Sequence, residues 1–137
     1  MGNLLTSLPK TIKLEEYKAP AFDVVNTYLT FELDSTKTKV TQETNYKLKS
    51  GSSVEELVLN GVDITLDSVE MNGKTLGSSD YRLEDELLVI LKPEEEFTLK
   101  IVNFINPRDN KELEGLYKSG DMYCTQCEAE GFRRITY

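Results

Sequence analysis

Apolar and polar positions alternate along most of this chain, with a period of two. Phe22 to Leu33 (FDVVNTYLTFEL) puts Val25, Leu29, Phe31 and Leu33 on one face, which predicts a strand with one buried side. After the polar loop DSTKTK, Val40 to Lys49 (VTQETNYKLK) is more polar, with Tyr46 and Leu48 in phase, as in a sheet with one wet face. SGSS at 50–53 turns the chain. VEELVL then runs into Asn60-Gly61, and VDITL alternates Val62, Ile64 and Leu66. Asn72-Gly73, between SVEM and KTL, predicts a type I′ hairpin, because both central residues of that turn need positive φ. Tyr81 to Leu91 reads as one strand carrying Tyr81, Leu83, Leu87, Val89 and Leu91. Leu88 and Ile90 fill its other side, so it is expected at the centre of a sheet. Phe97 to Ile105 alternates again, Asn106-Pro107 ends it, and a loop is expected over 108–121. No stretch sustains a helical apolar period, and KLEEY (13–17) supports one helical turn at most. Short strands between regular turn signals predict an all-β fold. We expect an antiparallel β-sandwich or saddle-shaped double sheet, with residues 1–137 as a single domain.

Charge narrows the partners. The 137 residues carry 24 acidic against 16 basic side chains, a net charge of −8, and no basic cluster longer than Arg133-Arg134. Nucleic acid is a poor partner, because phosphate binding needs a basic stripe, and an anionic membrane surface is disfavoured for the same reason. A cationic ligand group is the natural complement. No apolar run is long enough for a membrane helix, and the start, MGNLLTSLPK, has neither a basic nor an apolar signal region. Met1-Gly2 with Thr6 fits a myristoylation pattern only superficially and is taken as a chance match. Two cysteines and no export signal point to a reducing, cytoplasmic setting.

Three clusters invite chemistry. Cys124-x-x-Cys127 has half the thiols of a zinc site in a chain with no histidine, and on a strand residues three apart face opposite ways. Two unrelated free thiols are expected. Glu94-Glu95-Glu96 reads as a solvated turn, and Glu84, Asp85 and Glu86 as alternating faces of a strand that cannot converge on one ligand. Gln126, Glu128 and Glu130 differ, because two-residue spacing puts all three on one face of an extended chain beside Cys124. Ala129 and Gly131 keep the other face slim. Such a pair of carboxylates makes a local field suited to an ammonium group, and a plain polar strand face fits the same spacing equally well.

The stretch Thr125-Gln126-Cys127-Glu128-Ala129-Glu130, followed by Gly131-Phe132-Arg133 and preceded by Gly115 and Tyr117, resembles the zinc aminopeptidase N family. YKAPAFDVVNTYLTFELD resembles that family's opening strand, and TKV with TQETNYKLK its second, so the resemblance covers nearly the whole chain. The bacterial, cytoplasmic branch is the most similar. The resemblance implies a β-rich N-terminal domain packed over a thermolysin-like catalytic domain that supplies H-E-x-x-H and the zinc. It implies that Gln126 and Glu128 point into the active site and that Glu128 binds the substrate's free α-amino group, with Ala129 and Glu130 as supporting positions. It also implies a cis peptide bond between Glu128 and Ala129. This chain lacks H-E-x-x-H, so it is expected to hold no metal or catalytic residues of its own and to be truncated at its C-terminal end. Its partners are then the catalytic domain of the same polypeptide and a peptide N-terminus, and a cut sheet is expected to self-associate. The alternative is a free-standing β-sandwich interaction module without catalytic activity. A carbohydrate-binding sandwich is disfavoured by the absence of tryptophan.

Overall fold

The computed structural model describes residues 10–53 and 56–137. The myristoylation pattern at the start, and the first two residues of VEELVL, lie outside the described residues. The largest sheet is antiparallel and five-stranded, built from β1 (Phe22–Glu32), β2 (Thr38–Leu48), β4 (Thr65–Met71), β5 (Lys74–Thr75) and β8 (Glu96–Ile105), in the order β1-β2-β8-β4-β5. A second sheet has β7 (Leu87–Ile90) between β3 (Leu57–Asn60) and β6 (Tyr81–Glu84). A separate hairpin pairs β9 (Gly115–Ser119) with β10 (Met122–Gln126). KLEEY forms a single 3-10 turn at Leu14–Glu16.

One face of the large sheet carries two apolar clusters. In β2 every second residue from Thr38 to Tyr46 is buried, and cross-strand pairing puts Phe97, Leu99, Ile101 and Asn103 of β8 on that same face. At one end the three-stranded sheet covers it: Leu57, Leu88 and Ile90 pack with Phe22, Tyr46, Val69, Phe97, Leu99 and Ile101. At the other end the β9–β10 hairpin and the chain after it supply Leu116 and Ile135 against Val40 and Ile105. Between the two clusters runs a buried polar seam. Asn103 Nδ2 donates to the Ile135 carbonyl (2.9 Å), Gln42 Nε2 to the Tyr137 carbonyl (2.6 Å), and Thr136 Oγ1 to Asn103 Oδ1 (2.8 Å). Buried amides left unpaired are costly, so these bonds fix the segment 135–137 across the sheet. The seam is what ties the region after β10 to the core.

The Asn72-Gly73 hairpin forms, with φ of 50° and 79° at its two central residues. Three expectations are corrected. Tyr81 to Leu91 is not one strand. Asp85-Glu86 turns it into the β6–β7 hairpin with Glu86 at φ 60°, and only its second half is the central, buried strand. Glu84, Asp85 and Glu86 therefore sit at a hairpin end rather than along a strand. The loop over 108–121 contains β9, because Gly120-Asp121 is itself a two-residue hairpin turn with Gly120 at φ 60°. In β1 the expected buried face is displaced by a bulge at Val25. Past the bulge, Leu29 and Phe31 share the core-facing side with Val24, which pairs with Tyr46. That side is poorly covered: Val24 is 58% and Phe31 39% exposed.

Candidate functional site

The site is built on the end of β10 and the turn that follows. Gln126 forms the last rung of the hairpin opposite Gly115, and the pairing register puts it on the same face as Cys124 and Tyr117. That face is opposite the one shared by Leu116 and Thr125. Here the extended chain stops. Glu128 to Glu130 form a turn, and Gly131–Arg134 form a 3-10 turn. Glu128 and Glu130 are thus not further positions on one strand face with Gln126, contrary to the two-residue spacing. The peptide bond between Glu128 and Ala129 is cis, as the family resemblance implies.

Close backbone packing forces this local path. A Cβ on Gly131 would lie below 3.0 Å from the Gln126 carbonyl oxygen and 3.2 Å from the Gly115 nitrogen. Only glycine lets the 3-10 turn seat against the hairpin end. A Cβ on Gly115, at φ 74°, would lie 2.8 Å from the Arg134 Cβ and 3.2 Å from the Gly131 carbonyl oxygen. The Gly131 N–H donates to the Cys127 carbonyl (3.0 Å), and the Val62 N–H donates to the Arg133 carbonyl (2.8 Å). Cys127 turns its side chain into the Val40–Leu116 cluster. Cys124 lies on the Gln126 face, so the two free thiols diverge.

The charges around the turn are assigned to different jobs. Glu130 pairs with Arg133 (3.3 Å), while Arg134 pairs with Asp63 (2.6 Å) and Glu114 (3.4 Å). Among the described residues, Glu128 has no ion-pair partner and its side chain faces solvent, as do Gln126 and Ala129. A cleft of about 420 Å³ on the far side of Arg134, lined by Asp63, Asn106, Asp109 and Leu116 among others, includes neither Gln126 nor Glu128. The candidate residues thus stand on an exposed turn outside that cleft.

Zinc, implied by the resemblance, does not fit here. The chain has no histidine, and among the described residues no group of three or more His, Cys, Asp or Glu side chains is placed to hold a metal ion. Arg134 and Asp63 are the residues to which sequence reasoning gave no role at the site, while Gly115 entered it only as part of the motif. The Gly131 to Arg134 run, a glycine and, after Phe132, an arginine doublet, carried the signal, but the partners of Arg134 are distant in the chain.

No family model matches the chain. Aminopeptidase N of Escherichia coli (strain K12) is 45% identical over 133 residues, 97% of this chain and 15% of that protein. Aminopeptidase N of Caulobacter vibrioides is 40% identical over 132 residues, 96% of this chain and 15% of that protein. Among solved structures, aminopeptidase A of Legionella pneumophila in complex with aspartic acid superposes with a TM-score of 0.83 at 28% identity, covering 92% of this chain and 15% of that one. The M1 zinc metallopeptidase of Deinococcus radiodurans bound to a Tyr-Ser-Ala substrate superposes at 0.67 with 13% identity, over 85% of this chain and 28% of that one, a likeness of fold alone. The chain therefore spans about 15% of the length of the relatives it matches. No helix among the described residues is long and apolar enough to cross a membrane. Shared sequence over nearly all of its length, together with a shared antiparallel fold, makes this chain a homologue of a short N-terminal part of aminopeptidase N.

Proposed function

We propose that this domain anchors the free N-terminus of a peptide for a zinc aminopeptidase, with Glu128 binding the substrate's α-ammonium group and Gln126 supporting it. The observation that carries this is the standing of Glu128. Its carboxylate is exposed on a turn clamped on both sides, while every nearby arginine is engaged elsewhere. Zinc and the groups that activate water belong to the catalytic domain of the same polypeptide. Packed against that domain, the exposed turn becomes one wall of a cleft. Exclusion of water there strengthens a charge-assisted bond to an ammonium.

The same contact accounts for the removal of terminal rather than internal residues. An internal peptide segment brings no positive charge, so binding it leaves a carboxylate desolvated and unpaired, which is strongly unfavourable. The acidic balance of the domain favours approach of a cation at longer range. A cytoplasmic setting is part of the proposal, supported by two free cysteines that make no disulfide.

The test is a pair of ligands that differ in one charge. L-alaninamide carries the ammonium and N-acetyl-L-alaninamide does not. In an amide NMR titration of this chain, L-alaninamide is expected to shift the signals of residues 126–130 in a saturable way, and the acetylated compound is not. Equal responses to both, or none to either, would overturn the proposal.

A further inference from the structure

The segment 127–130 is short, and its side-chain ties are Cys127, which packs into the core, and Glu130, which pairs with Arg133 of the next turn. Its position is set by its two ends. The inlet is fixed by the Gln126–Gly115 rung of the hairpin. The outlet is the Gly131–Arg134 turn, which is seated by Gly131 on the hairpin end and by the Val62 N–H bond to the Arg133 carbonyl, and is tied further by the Arg134 side chain. Its guanidinium reaches Asp63 through Nη1 (2.6 Å) and Glu114 through Nε (3.4 Å), so one side chain ties together three chain segments that are remote in sequence. Arg134 is 19% exposed, against 81% for Asp63 and 51% for Glu114. Ion pairs with wet partners contribute little stability, so the value of this arrangement lies in geometry. A planar fork that donates to two carboxylates at once allows one orientation, which an ammonium on a flexible stem does not reproduce.

We infer that Arg134 is a positioning residue for amine recognition: its two ion pairs lock the Gly131–Arg134 turn against β10 and thereby fix where the Glu128 carboxylate stands. This rests on the proposed role of Glu128 and adds what holds that carboxylate in place. Arg134 itself touches no substrate. Its effect is transmitted through the backbone, from the turn through the Gly131 N–H bond to the Cys127 carbonyl and so into residues 128–130.

The test measures affinity for L-alaninamide by the same NMR titration, at a temperature where every variant is folded. Arg134→Met keeps the aliphatic stem and removes the fork, and is expected to weaken binding about 3- to 10-fold, since misplacement of a binding group by a fraction of an ångström carries costs of that order. Asp63→Asn combined with Glu114→Gln removes the partner charges while leaving the sequence of the turn, Arg134 included, unchanged, and is expected to match it. Arg134→Lys should recover part of the loss. Leu88→Ala, in the core beneath the opposite sheet, is expected to lower the melting temperature at least as much while leaving affinity unchanged. Unaltered affinity in Arg134→Met and in the double variant would overturn the inference while leaving the role of Glu128 standing. So would an equal loss in Leu88→Ala. Absence of any amine-dependent shift in the unsubstituted chain would remove the role of Glu128 and this inference with it.

Discussion

Gly131→Ala adds one methyl group at the point where the 3-10 turn after β10 meets the hairpin. Gly131 is not in the left-handed region, so alanine is allowed by its own backbone angles and the penalty is steric. The added Cβ would overlap the Gln126 carbonyl oxygen and approach the Gln126 carbonyl carbon at 3.3 Å. Both atoms belong to the last rung of β9–β10, so no flexible side-chain tip can yield. The 3-10 turn must retreat instead, which stretches the Gly131 N–H bond to Cys127 and the Val62 N–H bond to Arg133. Overpacking of this kind costs roughly 1–3 kcal/mol. Weakening the two bonds adds about 1 kcal/mol, for a total of about 2–4 kcal/mol. For a domain of this size that is a fall in melting temperature of roughly 6–15 °C, read by far-UV circular dichroism. Gly51→Ala is the control. It meets open space, but at φ 80° it carries a backbone penalty of about 1 kcal/mol. If Gly131→Ala melts within about 2 °C of the unsubstituted chain, or no lower than Gly51→Ala, the turn is not held by that contact.

The remaining predictions concern the core, the sheet edge and the missing chemistry. Burial pushes the Tyr46 phenol up to about 12, so the folded state holds its proton more tightly than the unfolded chain does. That contribution is present below about pH 10 and is lost as pH rises through 12; Tyr46→Phe should flatten the fall in urea midpoint over that window, and identical profiles would refute it. Tyr137 shifts in the same direction for the same reason, so some of the fall remains. The β1 edge, with Val24, Val25 and Tyr28 exposed and only Asp23 and Glu32 charged along it, should make the chain associate at high concentration. Tyr28→Lys should suppress this in light scattering, and a concentration-independent monomer in the unsubstituted chain would contradict it. Incubated with zinc and an alanyl chromogenic amide, the chain should release no product above buffer, and measurable turnover would show that it holds chemistry of its own.

The alternation of β2 and β8 and the Asn72-Gly73 turn were legible in the residues, because a half-buried strand and a type I′ turn both leave local patterns. The β6–β7 hairpin was not, since apolar residues on both sides of Asp85-Glu86 continue the alternation straight through the turn. The bulge at Val25 was hidden for a related reason: one extra residue reverses the facing of everything on one side of it and leaves composition unchanged. At the site, the resemblance implied the cis bond between Glu128 and Ala129, which the structure contains. Two-residue spacing alone gave the wrong path, because nothing local says that Gly131 packs against the Gln126 carbonyl and ends the strand there. The pairing of Arg134 with Asp63 joins residues 71 positions apart, and only the folded chain brings them together.

The most direct measurement is kinetic. Under the proposed function, Glu128→Ala in a full-length polypeptide carrying this domain should lower kcat/KM for an N-terminal substrate by about 30- to 1000-fold, the equivalent of roughly 2–4 kcal/mol for a charge-assisted bond made in a closed site. A loss smaller than about threefold would mean that the carboxylate at 128 does not hold the substrate's amine.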